Sequence, residues 1–133
     1  MKSLFGHLQI NVNTVNITFY KDLLAFMEWR VIYEDATMLG MGSEHHQSLW
    51  FAGGAKAVSN DYDGPGVNHI GLAVGAPADV EAVAGYLEQQ GVPLLFETPR
   101  HRPEFAREGA TYFQIMFESP DRVLFEVVYI GPI

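Results

Sequence analysis

Along residues 5–12, Phe-Gly-His-Leu-Gln-Ile-Asn-Val, apolar and polar positions alternate strictly. Leu8, Ile10 and Val12 fall on one face and His7, Gln9 and Asn11 on the other. A period of two predicts a half-buried strand. Asn13, Thr14 and Asn16 follow as candidate helix caps. From Ile17 to Met27 the period changes to that of a helix, with Ile17, Tyr20, Leu24 and Met27 on one stripe widened by Phe19, Leu23 and Phe26. Residues 29–33, 37–41 and 47–52 read as three further strands.

A polar, glycine-rich stretch at 53–66 interrupts the pattern and reads as a linker. The pattern then restarts. Residues 67–74 form a strand with Ile70, Leu72 and Val74 on one face and His69 on the other. Pro77 and Asp79 open a helix whose Val80, Val83, Ala84 and Leu87 follow i, i+3, i+4, i+7, and Gly91 is placed to stop it. Residues 93–97, 111–117 and 123–130 predict three more strands. His7-Leu-Gln-Ile-Asn-Val12 thus lies over His69-Ile-Gly-Leu-Ala-Val74, and Val31-Ile-Tyr-Glu34 over Leu94-Leu-Phe-Glu97, an internal repeat of about 62 residues. The predicted class is α+β, with two βαβββ repeats at about 4–53 and 66–131.

Composition narrows the function classes. The chain has 133 residues, 48% of them apolar and 18% charged, enough to fill one domain core. Sixteen acidic against eight basic residues give a net charge of −8, which disfavours nucleic acid. There is no cysteine, so disulfides, thiolate metal sites and a cysteine nucleophile are excluded. No apolar run suits a signal peptide or a membrane span, so a soluble cytoplasmic protein is expected.

The order βαβββ-βαβββ, a histidine on the first strand of each repeat, and Ser119-Pro120-Asp121 followed five residues later by Glu126 resemble the vicinal-oxygen-chelate superfamily. Glyoxalases, bleomycin-resistance proteins and extradiol dioxygenases belong to it. The resemblance runs from His7 to Tyr129 and implies a single domain over 1–133, whose repeats form a curved mixed sheet around a cavity. Two positions depart from the family's Asp-Pro-Asp-Gly turn. Ser119 stands for the first aspartate. Arg122 stands for the glycine, where a positive φ would strain any other residue.

His7 and His69 point away from the helix-facing apolar side of their strands, which in such a sheet is the concave side. Glu126 lies within Val-Leu-Phe-Glu-Val-Val-Tyr (123–129), where a carboxylate is costly unless paired or coordinated. Singly, each has an ordinary reading: a hydrogen-bonded core histidine, or a glutamate paired with arginine. Together, two imidazoles and one carboxylate suit a divalent ion such as Fe, Mn, Zn, Ni or Co, with positions left open for substrate. Aligning the two repeats places Phe51 opposite Glu126, where glyoxalase I enzymes carry a fourth ligand. The resemblance is therefore to the two-histidine, one-carboxylate dioxygenases and fosfomycin-modifying transferases.

Other candidates surround this set. Tyr112, Gln114 and Met116 share a strand face suited to lining a cavity. Arg100, His101 and Arg102 lie where an anionic substrate could meet them, although a solvated basic loop is an equal reading. His45 and His46 are assigned to a turn, not to a metal. The expected function is a metal-dependent lyase, dioxygenase or transferase whose cation chelates vicinal oxygens of a small substrate. The alternative is a metal-free drug-binding protein of the bleomycin-resistance type, whose aromatic-lined groove Trp29, Trp50, Phe51 and Tyr112 could supply. A homodimer is expected, since both ways of pairing the repeats leave sheet edges for a second copy.

Overall fold

In both halves of the chain an amphipathic helix packs on a four-stranded mixed sheet. The computed structural model describes residues 1–133 and divides them into two compact units, Met1–Val58 and Ser59–Ile133. No helix is long and apolar enough to cross a membrane.

The first unit runs β1 (His7–Asn11), α1 (Ile17–Phe26), β2 (Arg30–Glu34), β3 (Met38–Gly42) and β4 (Ser48–Ala52), in the sheet order β1-β4-β3-β2. β1 and β4 are parallel; the other pairs are antiparallel. Asn13 caps the short 3₁₀ turn before α1 through its side-chain oxygen, which accepts from the Val15 amide at 3.1 Å. Tyr20, Leu23 and Leu24 of α1 are buried together with Val12, Leu39, Met41, Leu49 and Phe51. The Tyr20 and Phe51 rings stack with centroids 4.4 Å apart.

The second unit repeats this topology with β5 (Ile70–Ala73), α2 (Pro77–Gln89), β6 (Arg100–His101), β7 (Ala110–Glu118) and β8 (Leu124–Pro132), in the order β5-β8-β7-β6. Pro77 opens α2, where a missing amide hydrogen costs nothing. Gly91 ends the helix at φ +73, as expected. Val80, Val83 and Leu87 form the buried stripe; Leu72, Phe113, Ile115, Phe117, Phe125 and Val127 complete the core.

One predicted strand is displaced. Residues 93–97 form no strand, although the Leu95 amide still donates to Met116 at 2.8 Å. The chain leaves the edge of β7 through Phe96 and Glu97, both at positive φ, and rejoins it as the two-residue β6. The apolar run Leu94-Leu95-Phe96 mimics a strand, but an edge position does not require every residue to pair.

The turn joining β7 to β8 keeps the geometry that favours glycine. Arg122 adopts φ +57, and its side chain is held on both sides. Its Nε donates to Glu118 at 3.1 Å, its Nη1 donates to the Asn60 carbonyl at 3.1 Å, and the guanidinium sits 5.0 Å over the Tyr62 ring. Asn60 Nδ2 in turn donates to the Arg122 carbonyl at 3.0 Å. The contacts offset a backbone cost of about 1–2 kcal/mol. Arg122→Ala keeps that cost and loses the contacts; Arg122→Gly loses the contacts and the cost. The glycine variant should therefore melt about 3–5 °C above the alanine variant. Equal melting temperatures in a thermal scan would show that the turn is unstrained.

Candidate functional site

Alternation along β8 puts Phe125 and Val127 against α2, so Glu126 must face the other way. It is nonetheless buried, with the residue only 4% exposed. β7 contributes to the same face in register: Met116 opposes Glu126, Gln114 opposes Val128, and Tyr112 opposes Ile130. On the other side of β8, Gly71 of β5 is the partner of Glu126. A β-carbon on Gly71 would lie 3.1 Å from Glu126 Oε1, so the absent side chain leaves that oxygen uncovered.

The two carboxylate oxygens have different partners. Oε2 accepts from the Tyr112 hydroxyl at 2.8 Å and from Gln114 Nε2. Burial first, then the hydrogen bond to Glu126, then the charge of that carboxylate push the Tyr112 hydroxyl up to about 12, so it stays a donor. Gln114, 3% exposed, has its amide orientation set from the far side, because Arg102 Nη1 donates to its Oε1 at 3.4 Å. Arg102 also lies 4.6 Å over the Phe105 ring and pairs through Nε with Glu104 at 2.5 Å. Oε1 faces His69 instead, 3.7 Å from its Nε2.

His69 precedes β5 and its side chain is 39% exposed. Its Nδ1 lies 2.8 Å from Asn68 Oδ1. The Asn68 amide is oriented by its own Nδ2, which donates to the Tyr62 carbonyl at 3.0 Å, so Oδ1 can only accept. In neutral His69 that acceptor favours the hydrogen on Nδ1, which turns the Nε2 lone pair toward Glu126 Oε1. Nε2 and Oε1 stand too far apart for a hydrogen bond. Two ligands on one cation with bonds of about 2.1 Å stand nearly this far apart. The pair fits a divalent ion. No group of three or more His, Asp or Glu side chains that could hold a metal is brought together.

The predicted site residues separate clearly. His69, Glu126, Tyr112 and Gln114 converge. Arg100 opposes Gln114 in register and pairs with Glu97 at 3.9 Å, so it shares the face without touching the carboxylate. His101 does not join them. It opposes Phe113, stacks on that ring at 4.5 Å, and shares a hydrogen with Thr111 Oγ1 at 2.6 Å, all on the helix side. Strand alternation selects Arg102, whose amide donates to Tyr112 at 2.7 Å, over its neighbour. His45 and His46 lie in an exposed turn, as expected.

Phe51 is corrected. It is 0% exposed and stacked on Tyr20, so it is a core residue and lines no ligand site. The repeat alignment is one residue out. Glu126 is the β8 partner of Gly71, two residues after His69; the β4 partner of Gln9, two residues after His7, is Trp50. Trp50 lies on Gly40, where an added β-carbon would come within 2.7 Å of the ring, and its Nε1 donates to Ser48 at 2.9 Å. The first repeat holds an indole where the second holds a carboxylate. His7 lies on β1, on the face away from Leu8 and Ile10.

A model of the Glyoxalase/Bleomycin resistance protein/Dioxygenase superfamily matches residues 4–127. No curated protein matches the chain. Among solved structures, a candidate glyoxalase from Bacillus halodurans superposes with a TM-score of 0.80 at 20% identity, over 96% of each chain. A glyoxalase/dioxygenase from Nostoc punctiforme gives 0.71 at 14% identity, over 98% of this chain and 92% of its own. The fosfomycin resistance protein FosX from Listeria monocytogenes, solved with Mn(II) and sulfate, gives 0.68 at 21% identity, over 96% of this chain and 90% of its own. At these identities the likeness is one of fold.

Proposed function

This chain belongs to the Glyoxalase/Bleomycin resistance protein/Dioxygenase superfamily, and we propose that it is a small metal-dependent enzyme whose divalent cation chelates two oxygens of a small substrate. The observation that carries this is the facing of His69 Nε2 and Glu126 Oε1, 3.7 Å apart on a sheet face without a helix. The third ligand in this reading is His7, the residue of β1 that repeats His69. The cation supplies Lewis-acid polarisation and stabilises charge developing on substrate oxygen. Tyr112 and Gln114 hold Glu126 by Oε2, which leaves Oε1 as the presented donor. Arg102 holds Gln114 and adds positive charge at the rim of the same face. Related FosX structures carry Mn(II), which supports divalent metal use. A lyase, a transferase and a dioxygenase all fit this description.

Metal titration of chelator-treated protein tests the reading. Adding Mn(II), Fe(II), Co(II), Ni(II) or Zn(II) should give stoichiometric binding and raise the melting temperature, by mass action on the folded state. If no ion binds and no thermal shift appears, the metal-free small-molecule binder takes its place.

A further inference from the structure

Residue 122 lies in the turn before β8, and a continuous set of contacts runs from it to the His69–Glu126 pair inside the second unit. Glu118, at the end of β7, accepts from both Arg122 Nε at 3.1 Å and the Tyr62 hydroxyl at 2.8 Å. Arg122 covers the Tyr62 ring and binds Asn60 through main chain and side chain. Tyr62 is thereby fixed at its hydroxyl, its ring and its approach. Its carbonyl accepts from Asn68 Nδ2 at 3.0 Å, and Asn68 Oδ1 meets His69 Nδ1 at 2.8 Å.

We infer that residues 60–68 form a strap that positions His69, with Asn68 as the positioning residue in contact and Tyr62, Glu118 and Arg122 as its anchor. A free histidine side chain prefers the hydrogen on Nε2. The strap imposes the other tautomer, because a carboxamide oxygen with a fixed orientation stands at Nδ1 and can only accept. This outer partner leaves Nε2 bare toward Glu126, the state a metal-ligating nitrogen requires. It also gives Arg122 a purpose at a position whose backbone favours glycine. Glycine would keep the turn but release Tyr62. The inference deepens the proposed metal site, yet its geometry stands without any metal.

The test is a long-range ¹⁵N–¹H correlation spectrum of metal-free, ¹⁵N-labelled protein at about pH 9, where imidazole is neutral. His69→Gln identifies the resonances. His69 in the parent should be mainly the Nδ1–H form. Asn68→Ala should move the ratio about fivefold toward Nε2–H, the effect of one ordinary hydrogen bond. Arg122→Gly, which relieves the backbone and so stays folded, should move it part of the way. A parent that is mainly Nε2–H, or an Asn68→Ala spectrum identical to the parent's, overturns the strap. An unchanged ratio in Arg122→Gly, beside a changed one in Asn68→Ala, overturns the anchor. Mn(II) titration of the same samples separates this from the proposed function: an intact Nδ1–H form with no Mn(II) bound supports the strap and refutes the metal reading.

Discussion

Phe51→Glu should not fold, while Trp50→Glu should. Truncating a fully buried phenylalanine costs about 3–5 kcal/mol, and a carboxylate set against the Tyr20 ring adds a buried charge. The sum approaches the whole stability of a small domain, about 5–15 kcal/mol. Trp50 is half-buried on the opposite sheet face, so a charge there reaches solvent and the loss is mainly the packing on Gly40, about 2–3 kcal/mol. Circular dichroism and urea titration of the two variants distinguish these outcomes. A folded Phe51→Glu protein would mean that β4 can slip by one residue against β1 and β3, bringing Trp50 to the helix side in its place.

The second large effect concerns the ligand set. His69→Ala and Glu126→Ala should each weaken Mn(II) binding by about 100-fold or more, beyond the 10–100-fold typical of an outer partner. Without metal His69→Ala should keep its melting behaviour, since His69 is partly exposed. Glu126→Ala should melt lower, because it takes the acceptor from Tyr112 and from buried Gln114, at about 1–3 kcal/mol. Parent-like affinity in His69→Ala would remove the assignment. His7→Ala, mixed with Glu126→Ala, tests the assembly. If the protein is a homodimer whose sites draw on both chains, each mixed dimer regains one complete His7, His69 and Glu126 set, and half its capacity returns. Sites within single chains give no recovery. Sedimentation as a monomer at micromolar concentration removes the dimer.

Much of the fold was legible because two periodicities carry it. The strict alternation of 5–12 and 67–74 turns Leu8, Ile10 and Val12, and Ile70, Leu72 and Val74, to the less exposed face, and the helical stripe of 80–87 buries Val80, Val83 and Leu87. The edge was not legible, since Leu94, Leu95 and Phe96 are as apolar as any strand while only Leu95 bonds to β7. Glu126 stood out as a charge in an apolar run, and its partners Tyr112 and Gln114 followed from alternation on β7. Phe51 failed by one residue. A period of two turns so small an error into the opposite face of the sheet, and without a charge in the first repeat nothing marked Trp50. Alternation could have separated His101 from Arg102, because Tyr112 and Gln114 already fixed which face mattered. Asn68 carried no signal at all. A side-chain amide beside a histidine gains its meaning from Tyr62, and that contact is tertiary.

Gly71 gives the site a particular evolutionary exposure. Its missing β-carbon is the opening over Glu126 Oε1, and the carboxylate cannot retreat because Oε2 is held by two donors. A single base change converts any glycine codon to alanine or valine. Either would crowd the oxygen while leaving the β5–β8 ladder and the helix-side core untouched. If the proposed cation site is right, such a lineage would go on folding with a weakened grip on the ion, with no mark elsewhere in its sequence. On the proposed reading, metal-dependent enzyme and metal-free binder differ by one substitution, and residue 71 is the place to read which of the two a homologue favours.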